Sequence, residues 1–440
     1  NKGPHRPVFE QGLRAEALAA LDCVDHVSVN EWPTACDTLR LLKPHIYVKG
    51  AEFRHKKTPE LLEEERVARS VGTRVEFIEE LTSSSSYLIN NYLSPFAEEA
   101  DQYLLKFRQT NTPEDILAPL GRARDLKVLV VGEAILDEYY ACATLGQSLK
   151  STSVVGRYLS HQRHLAGAPA VANHLAAFAD HVGLISMLGA EKTGEEWIRS
   201  QLHENVVPQF FRRRGAPTIV KRQYQESYFG TTFFEVDYLS QEPLDEAESA
   251  ALNAIIGQQL SAFDLVVVAD YGHAMLGESH VESLADSSAF LAVATQANAA
   301  NVGYHTISKY PRADHFILSE HELRLECRGP AGDLRPMLEG TAAKLGARTA
   351  VVTSGNRGCL CCNSAAQRCQ APALATRVVD RSGAGESCLA VTSLAAALEM
   401  PLEHMAFLCN VAGAEAVAVP GNSSFLERLP FTRHVESLFK

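Results

Sequence analysis

Three observations predict an α/β fold built on a doubly wound, mainly parallel sheet. Apolar runs recur without polar alternation at 128–131 (VLVV), 265–269 (LVVVA) and 350–352 (AVV); a strand covered on both faces reads this way. Helix-prone segments separate the runs, as crossover helices separate parallel strands. The runs also stop at a polar residue or a glycine turn, and open α/β sheets bind ligands at the carboxyl ends of their strands.

Composition narrows the class. With 440 residues, 46% hydrophobic and 21% charged, the chain reads as globular and too long for one core, so two domains are expected. A net charge of −12 argues against nucleic acid or an anionic membrane as the main partner. No apolar run reaches the roughly 18 residues of a membrane span. No signal segment is visible after Asn1, so a cytoplasmic location is expected. Ten cysteines without an even framework spacing read as reduced thiols. Cys359, Cys361, Cys362 and Cys369 cluster, and the alternation over 358–362 favours a hairpin strand over a zinc site.

Residues 1–96 form the first expected domain. Helical patterns at 11–21, 34–42 (stopped by Pro44) and 59–70 alternate with strand patterns at 26–30, 46–48 and 74–78. Lys49 and Gly50 end the second strand. The serine run 82–86 precedes an apolar segment, 87–93. Such a run is a capping signal and equally a phosphate cradle, which makes Lys49, Ser84 and Ser85 candidate nucleotide contacts. Residues 97–124 read as a helical linker with a break at Thr112-Pro113.

The second expected domain spans 125–440. Its first strand places Asp137 at a carboxyl end, to meet a ligand or to cap a loop. Short strands at 152–159, 218–224 and 231–236 fall outside the main alternation and are expected to form a small β-lid over the site. Lys221 and Arg222 on that lid suit either a phosphate on a substrate or a solvated edge. Between them, 166–174 opens a small-residue helix where Gly167 permits close approach. Further strands end at Asp270, near Thr295, at Ser319 and at Thr353, the last followed by Gly355 and Gly358.

The densest signal is 380–390, DRSGAGESCLA. Gly383, Ala384 and Gly385 put bare N–H groups at the start of an apolar helix, where unpaired donors and the helix dipole favour a phosphate. Glu386 follows at once, placed to take a proton from a hydroxyl held beside that phosphate. Phosphoryl transfer requires little beyond positioning, charge stabilisation and a base. The same residues also suit an ordinary glycine turn before a core helix.

In this order, the motifs over 126–425 resemble the PfkB/ribokinase family of sugar kinases, in its heptose-phosphate kinase branch. The resemblance implies a ribokinase-like fold that phosphorylates a sugar or sugar phosphate with ATP and Mg2+, and a possible homodimer through the lid. It assigns Asp137, Gly167 and Asn173 to the acceptor, Thr353, Gly355, Gly358 and Asn410 to the nucleotide, and Glu322 to magnesium through water. Gly383–Gly385 would be the anion hole and Glu386 the base. The sequence departs from the family by Glu386 in place of Asp, Ala166 in place of Gly, Ser319 in place of Asn, and Thr295-Gln296-Ala297-Asn298 in place of Pro-Lys-Gly. These departures keep open a binding or assembly protein that retains the kinase fold. Residues 2–8, 43–50 and the serine run resemble the latter half of a cytidylyltransferase-like, Rossmann-like nucleotidyltransferase, as in bifunctional heptose kinase/nucleotidyltransferases. The HxGH motif of that family does not occur in this chain, so nucleotidyl transfer would need an upstream half.

Overall fold

The computed structural model describes residues 9–50, 52–55, 58–78, 96–191, 193–228 and 230–440, in two compact units, His5–Pro95 and Phe96–Phe439. The smaller unit contains α1 (Gln11–Ala19), α2 (Cys36–Leu42), β1 (Ile46–Gly50), α3 (Glu52–His55), α4 (Pro59–Ser70) and β2 (Arg74–Ile78). β1 and β2 pair in parallel. Thr58 caps α4 by accepting the Leu61 N–H, and Cys36, Leu39, Val67 and Ala68 make a small core. Residues 26–30, expected as a strand, are largely exposed and pair with no strand among the described residues. Residues 2–8, the serine run with Ser84 and Ser85, and the segment 87–93 lie outside the described residues.

The larger unit opens with α5 (Glu98–Thr110) and α6 (Pro113–Gly121). Sequence reading made this stretch a linker. Leu104, Phe107, Ile116 and Leu120 instead lie in the main core of this unit, because their helical spacing gives both helices an apolar face.

The sheet runs β14–β13–β12–β11–β10–β9–β3–β5–β6. Its strands are β3 (Lys127–Gln147), β5 (His181–Glu191), β6 (Val206–Pro217), β9 (Leu265–Asp270), β10 (Phe290–Thr295), β11 (His315–Ser319), β12 (Thr349–Thr353), β13 (Cys359–Asn363) and β14 (Arg368–Ala371). All neighbours from β12 to β6 are parallel, whereas β13 and β14 add an antiparallel hairpin. Val128 and Val130 enter the core on one face, and Leu129 and Val131 enter that on the other. The uninterrupted apolar run therefore reflects two covered faces. Strand order reverses between β3 and β9, the switch point at which such sheets leave a crevice.

β3 is longer than expected. Its first half pairs with β5 and β9, and from Ala134 onward it pairs with β4 (Val154–Gly167) and β7 (Ile219–Glu226), the latter extended by β8 (Thr232–Tyr238). Thus Asp137 is not at a strand end. It sits within a continuous strand, just past the point where β3 passes from the main sheet into the lid. Among the described residues no helix is long and apolar enough to cross a membrane.

Candidate active site

α13 (Ala384–Ala397, the thirteenth α-helix among the described residues) begins at the glycine motif. Gly383 has φ +83, and a Cβ there would lie 2.0 Å from Asn422 Oδ1, so the position requires glycine. The first intrahelical bond of the helix is from Ser387 N–H to Gly383 C=O. The N–H groups of Ala384, Gly385 and Glu386 precede it, and no side chain caps them. In front of Gly385 a Cβ would meet nothing within 4 Å. Uncapped donors at a helix start are what an anion site requires. Asp380 braces the approach by accepting the N–H groups of Ser382 and Gly421, each at 2.9 Å. Burial opposes its charge, but these bonds hold its carboxyl below the usual range. Tyr139, on the lid half of β3, reaches Asp380 and Ser382 at 3.4 Å.

Glu386 Oε1 accepts the hydroxyl of Tyr271 at 3.1 Å. Tyr271 follows β9 in a turn fixed from below. The buried Glu133 carboxylate accepts the backbone N–H groups of Tyr271 and His273, both at 3.0 Å. Gly272 between them has φ +68. Burial, then the charge of Glu386, pushes the Tyr271 phenol well above its ordinary range, so it is a hydrogen-bond donor at neutral pH. Asp270 binds Lys309 Nζ and the Tyr310 hydroxyl at 2.7 Å. Sequence reading assigned no role to Glu133 or Tyr271. A carboxylate inside an apolar strand run was the available signal for Glu133; nothing local marked Tyr271 as a partner of Glu386.

On the lid, alternation sorts the residues by face. Asp137 pairs in register with Lys221, and Lys221 with Asp237, so these share one face with Tyr139. Asp137 makes no side-chain hydrogen bond among the described residues. It keeps some accessible surface, yet protein crowds it. Burial raises its carboxyl to about 7; Lys221 opposes the shift and the Glu386 charge adds to it. Arg222 is on the opposite face, in an ion cluster with the buried Glu138 at 2.7 Å, which also binds Arg163 at 2.6 Å. Lys221 and Arg222, either of which was expected to meet a substrate phosphate, thus lie on opposite faces of the lid, because adjacent strand residues face opposite ways.

Other expected residues are occupied by the protein itself. Gly167 has φ +71, and a Cβ would lie 2.4 Å from the Glu133 carbonyl. Asn173 donates to Gln201 C=O at 2.8 Å and accepts His203 N–H at 2.9 Å, so it ties a loop rather than facing a ligand. Asn410 is buried and donates to the carbonyls of Ala371 and Ala406 and to Cys359 Sγ. Thr353 ends β12, and the turn after it contains Gly355 (φ +59) and Gly358 (φ +81). A Cβ at 358 would lie 2.1 Å from the Ala371 carbonyl, while the space at 355 is open. Glu322 accepts the N–H groups of Ser319 at 2.7 Å and Ala297 at 3.1 Å. It is thus a capping-box residue whose two oxygens each accept one backbone N–H. Among the described residues no group of three or more His, Cys, Asp or Glu side chains is arranged to hold a metal. In the smaller unit Lys49 pairs with Glu64 at 2.7 Å. Burial works against the Lys49 charge, but bonds to Glu64 and Tyr47 outweigh it.

Comparisons with known proteins bear on the fold and the family. The chain is 28% identical over 311 residues to the bifunctional protein HldE of Trichlorobacter lovleyi, covering 69% of this chain and 62% of that protein. It is 27% identical over 324 residues to the D-beta-D-heptose 7-phosphate kinase of Bordetella bronchiseptica, covering 69% and 95%. The aligned region thus spans about three fifths of the bifunctional relative. Among solved structures, phosphofructokinase-2 of Escherichia coli with substrates and products superimposes with a TM-score of 0.57 at 15% identity, over 72% of this chain and 100% of that one. A putative ribokinase of Agrobacterium tumefaciens gives 0.56 at 18%, over 70% and 97%. These likenesses establish the ribokinase-like fold. The family model described as pfkB family carbohydrate kinase matches residues 125–428, and on that match the chain belongs to the pfkB family of carbohydrate kinases.

Proposed function

We propose that the larger unit phosphorylates a sugar phosphate of the heptose-phosphate type with ATP. The observation that carries this reading is the set of open N–H groups at Ala384, Gly385 and Glu386 with a carboxylate on the same turn. Those amides hold the migrating phosphoryl group, and Glu386 takes the proton of the acceptor hydroxyl. Asp137 and the close backbone at Gly167 hold the acceptor, and Lys221 faces its phosphate. The turn at Thr353, Gly355 and Gly358 supports the nucleotide, while Asn410 holds the adjoining helix in place. Magnesium, when bound with ATP, would neutralise phosphate charge. ATP turnover across heptose and hexose phosphates tests the reading. Glu386→Gln should lower kcat by roughly 100- to 10,000-fold, the range of general-base contributions; full activity would remove the proposed base.

The kinase domain on this reading includes α5 and α6 and extends to the end of the chain. The lid face carrying Glu138 also exposes Tyr158, Phe234, Val236 and Tyr238, an apolar surface suited to a homodimer. Sedimentation of Phe234→Asp against the parent chain checks this. A second reading, sugar-phosphate or nucleotide binding without turnover, is favoured by the protein donors that already occupy Glu386 and Glu322. Calorimetry alongside the turnover assay separates the two. Nucleotidyl transfer by the smaller unit is a third reading, one that requires an upstream HxGH half.

A further inference from the structure

Glu386 differs from its neighbours in how it is held. It is the first-turn acid of α13, half-buried, and its long side chain has more rotamers than a shorter acid would have. Among the described residues one hydrogen bond restrains it, that from the Tyr271 hydroxyl at 3.1 Å from Oε1. That hydroxyl belongs to a buried ring whose backbone is fixed by Glu133, by the positive φ of Gly272, and by Asn298 and Asn301, which both donate to the Tyr271 carbonyl at 2.8 Å. A Cβ on Gly272 would lie 2.4 Å from Asn301 Nδ2, so the position requires glycine. The hydroxyl is therefore carried by a braced backbone, whereas the carboxylate ends a longer, more rotatable side chain.

We propose that Tyr271 is a positioning residue that parks Oε1 of Glu386, leaving Oε2 to receive the proton of the acceptor hydroxyl. This inference rests on the reading of Glu386 as base. During transfer the acceptor O–H bond breaks as its oxygen bonds the γ-phosphorus, the proton passes to Oε2, and the bond to the leaving ADP oxygen breaks. The Tyr271 proton stays where it is. A misplacement near 1 Å at such a site costs on the order of 100-fold in rate, which sets the scale a single restraining hydrogen bond works against.

The test is a double-mutant cycle on the full chain. Tyr271→Phe is expected to lower kcat about tenfold and to leave both KM values within about twofold. In a Glu386→Asp background the shortened acid no longer reaches the hydroxyl, and Tyr271→Phe should then change kcat less than about twofold. Equal losses in both backgrounds, a rise in KM with kcat kept, or a rise in kcat would overturn the proposal; a rise in kcat would mean that the hydroxyl holds the acid out of play. Should Glu386→Asp turn over too slowly to assay, the division of the Tyr271→Phe effect between kcat and KM decides alone. Thermal melting and the KM for ATP confirm that the variants fold. Full activity of Glu386→Gln is a separate result, which would remove the base reading itself.

Discussion

The proposed acceptor side and the proposed nucleotide side of the larger unit treat their polar groups differently. On the nucleotide side Glu322 and Asn410 have their hydrogen bonds made by the protein, and Glu320 is paired with Arg324 and Arg357. On the acceptor side Asp137 and Lys221 make no hydrogen bond or ion pair among the described residues, and the α13 amides are open. Buried polar groups are ordinarily satisfied, because leaving one unpaired costs about 1–3 kcal/mol. Groups left open at one end of a satisfied scaffold are where a ligand completes the bonding. The same contrast divides the lid, with Arg222 locked to Glu138 on one face and Lys221 unpaired on the other.

The largest expected effect on this contrast comes from Asp137→Asn. Acceptor turnover should fall on the order of 100-fold, while the folded protein gains stability at high pH. The folded carboxyl titrates at about 7, above an unfolded value near 3.9. The folded state therefore binds more protons in that window, and the stability of the parent chain falls as pH rises through it. Asp137→Asn should melt higher than the parent at pH 8, by on the order of 1 kcal/mol or more, with the difference vanishing near pH 4. Equal melting at both pH values would show that Asp137 is not held against its charge.

A smaller effect separates the two lid faces. Lys221→Ala should raise the KM of a phosphorylated acceptor about tenfold and leave that of ATP unchanged. Arg222→Ala should do neither, and should destabilise by about 1–3 kcal/mol because Glu138 keeps only Arg163. Exchange of these two outcomes would reverse the assignment of faces. The smallest kinetic effect is expected at Asn410→Ala. Loss of its bonds should cost about 1–2 kcal/mol in denaturant unfolding, with the KM for ATP within about twofold. A large KM change there would return Asn410 to the nucleotide.

The sequence made the strands legible because both faces are covered, and it made the α13 motif legible because glycine, small residues and an acid fall together. It could not reveal the length of β3. Past Glu138 the run Tyr139–Gln147 is neither apolar nor alternating, and only its pairing with β4 and β7 makes it a strand. The fates of Asn173, Asn410 and Glu322 were equally hidden, since each is decided by a partner far along the chain or by loop backbone. Tyr271 and Glu386 lie 115 positions apart, and no local pattern links them. The helices at 97–124 show the converse: their apolar faces are written in the sequence, but which core they join is not.

One continuous strand contributes to both the central sheet and the lid. A cover built this way is anchored by the same backbone that forms the middle of the sheet, with its root paired on both sides beside Glu133. The carbonyl over Gly167 and the carboxylate that holds the Tyr271 turn both belong to that one residue, Glu133.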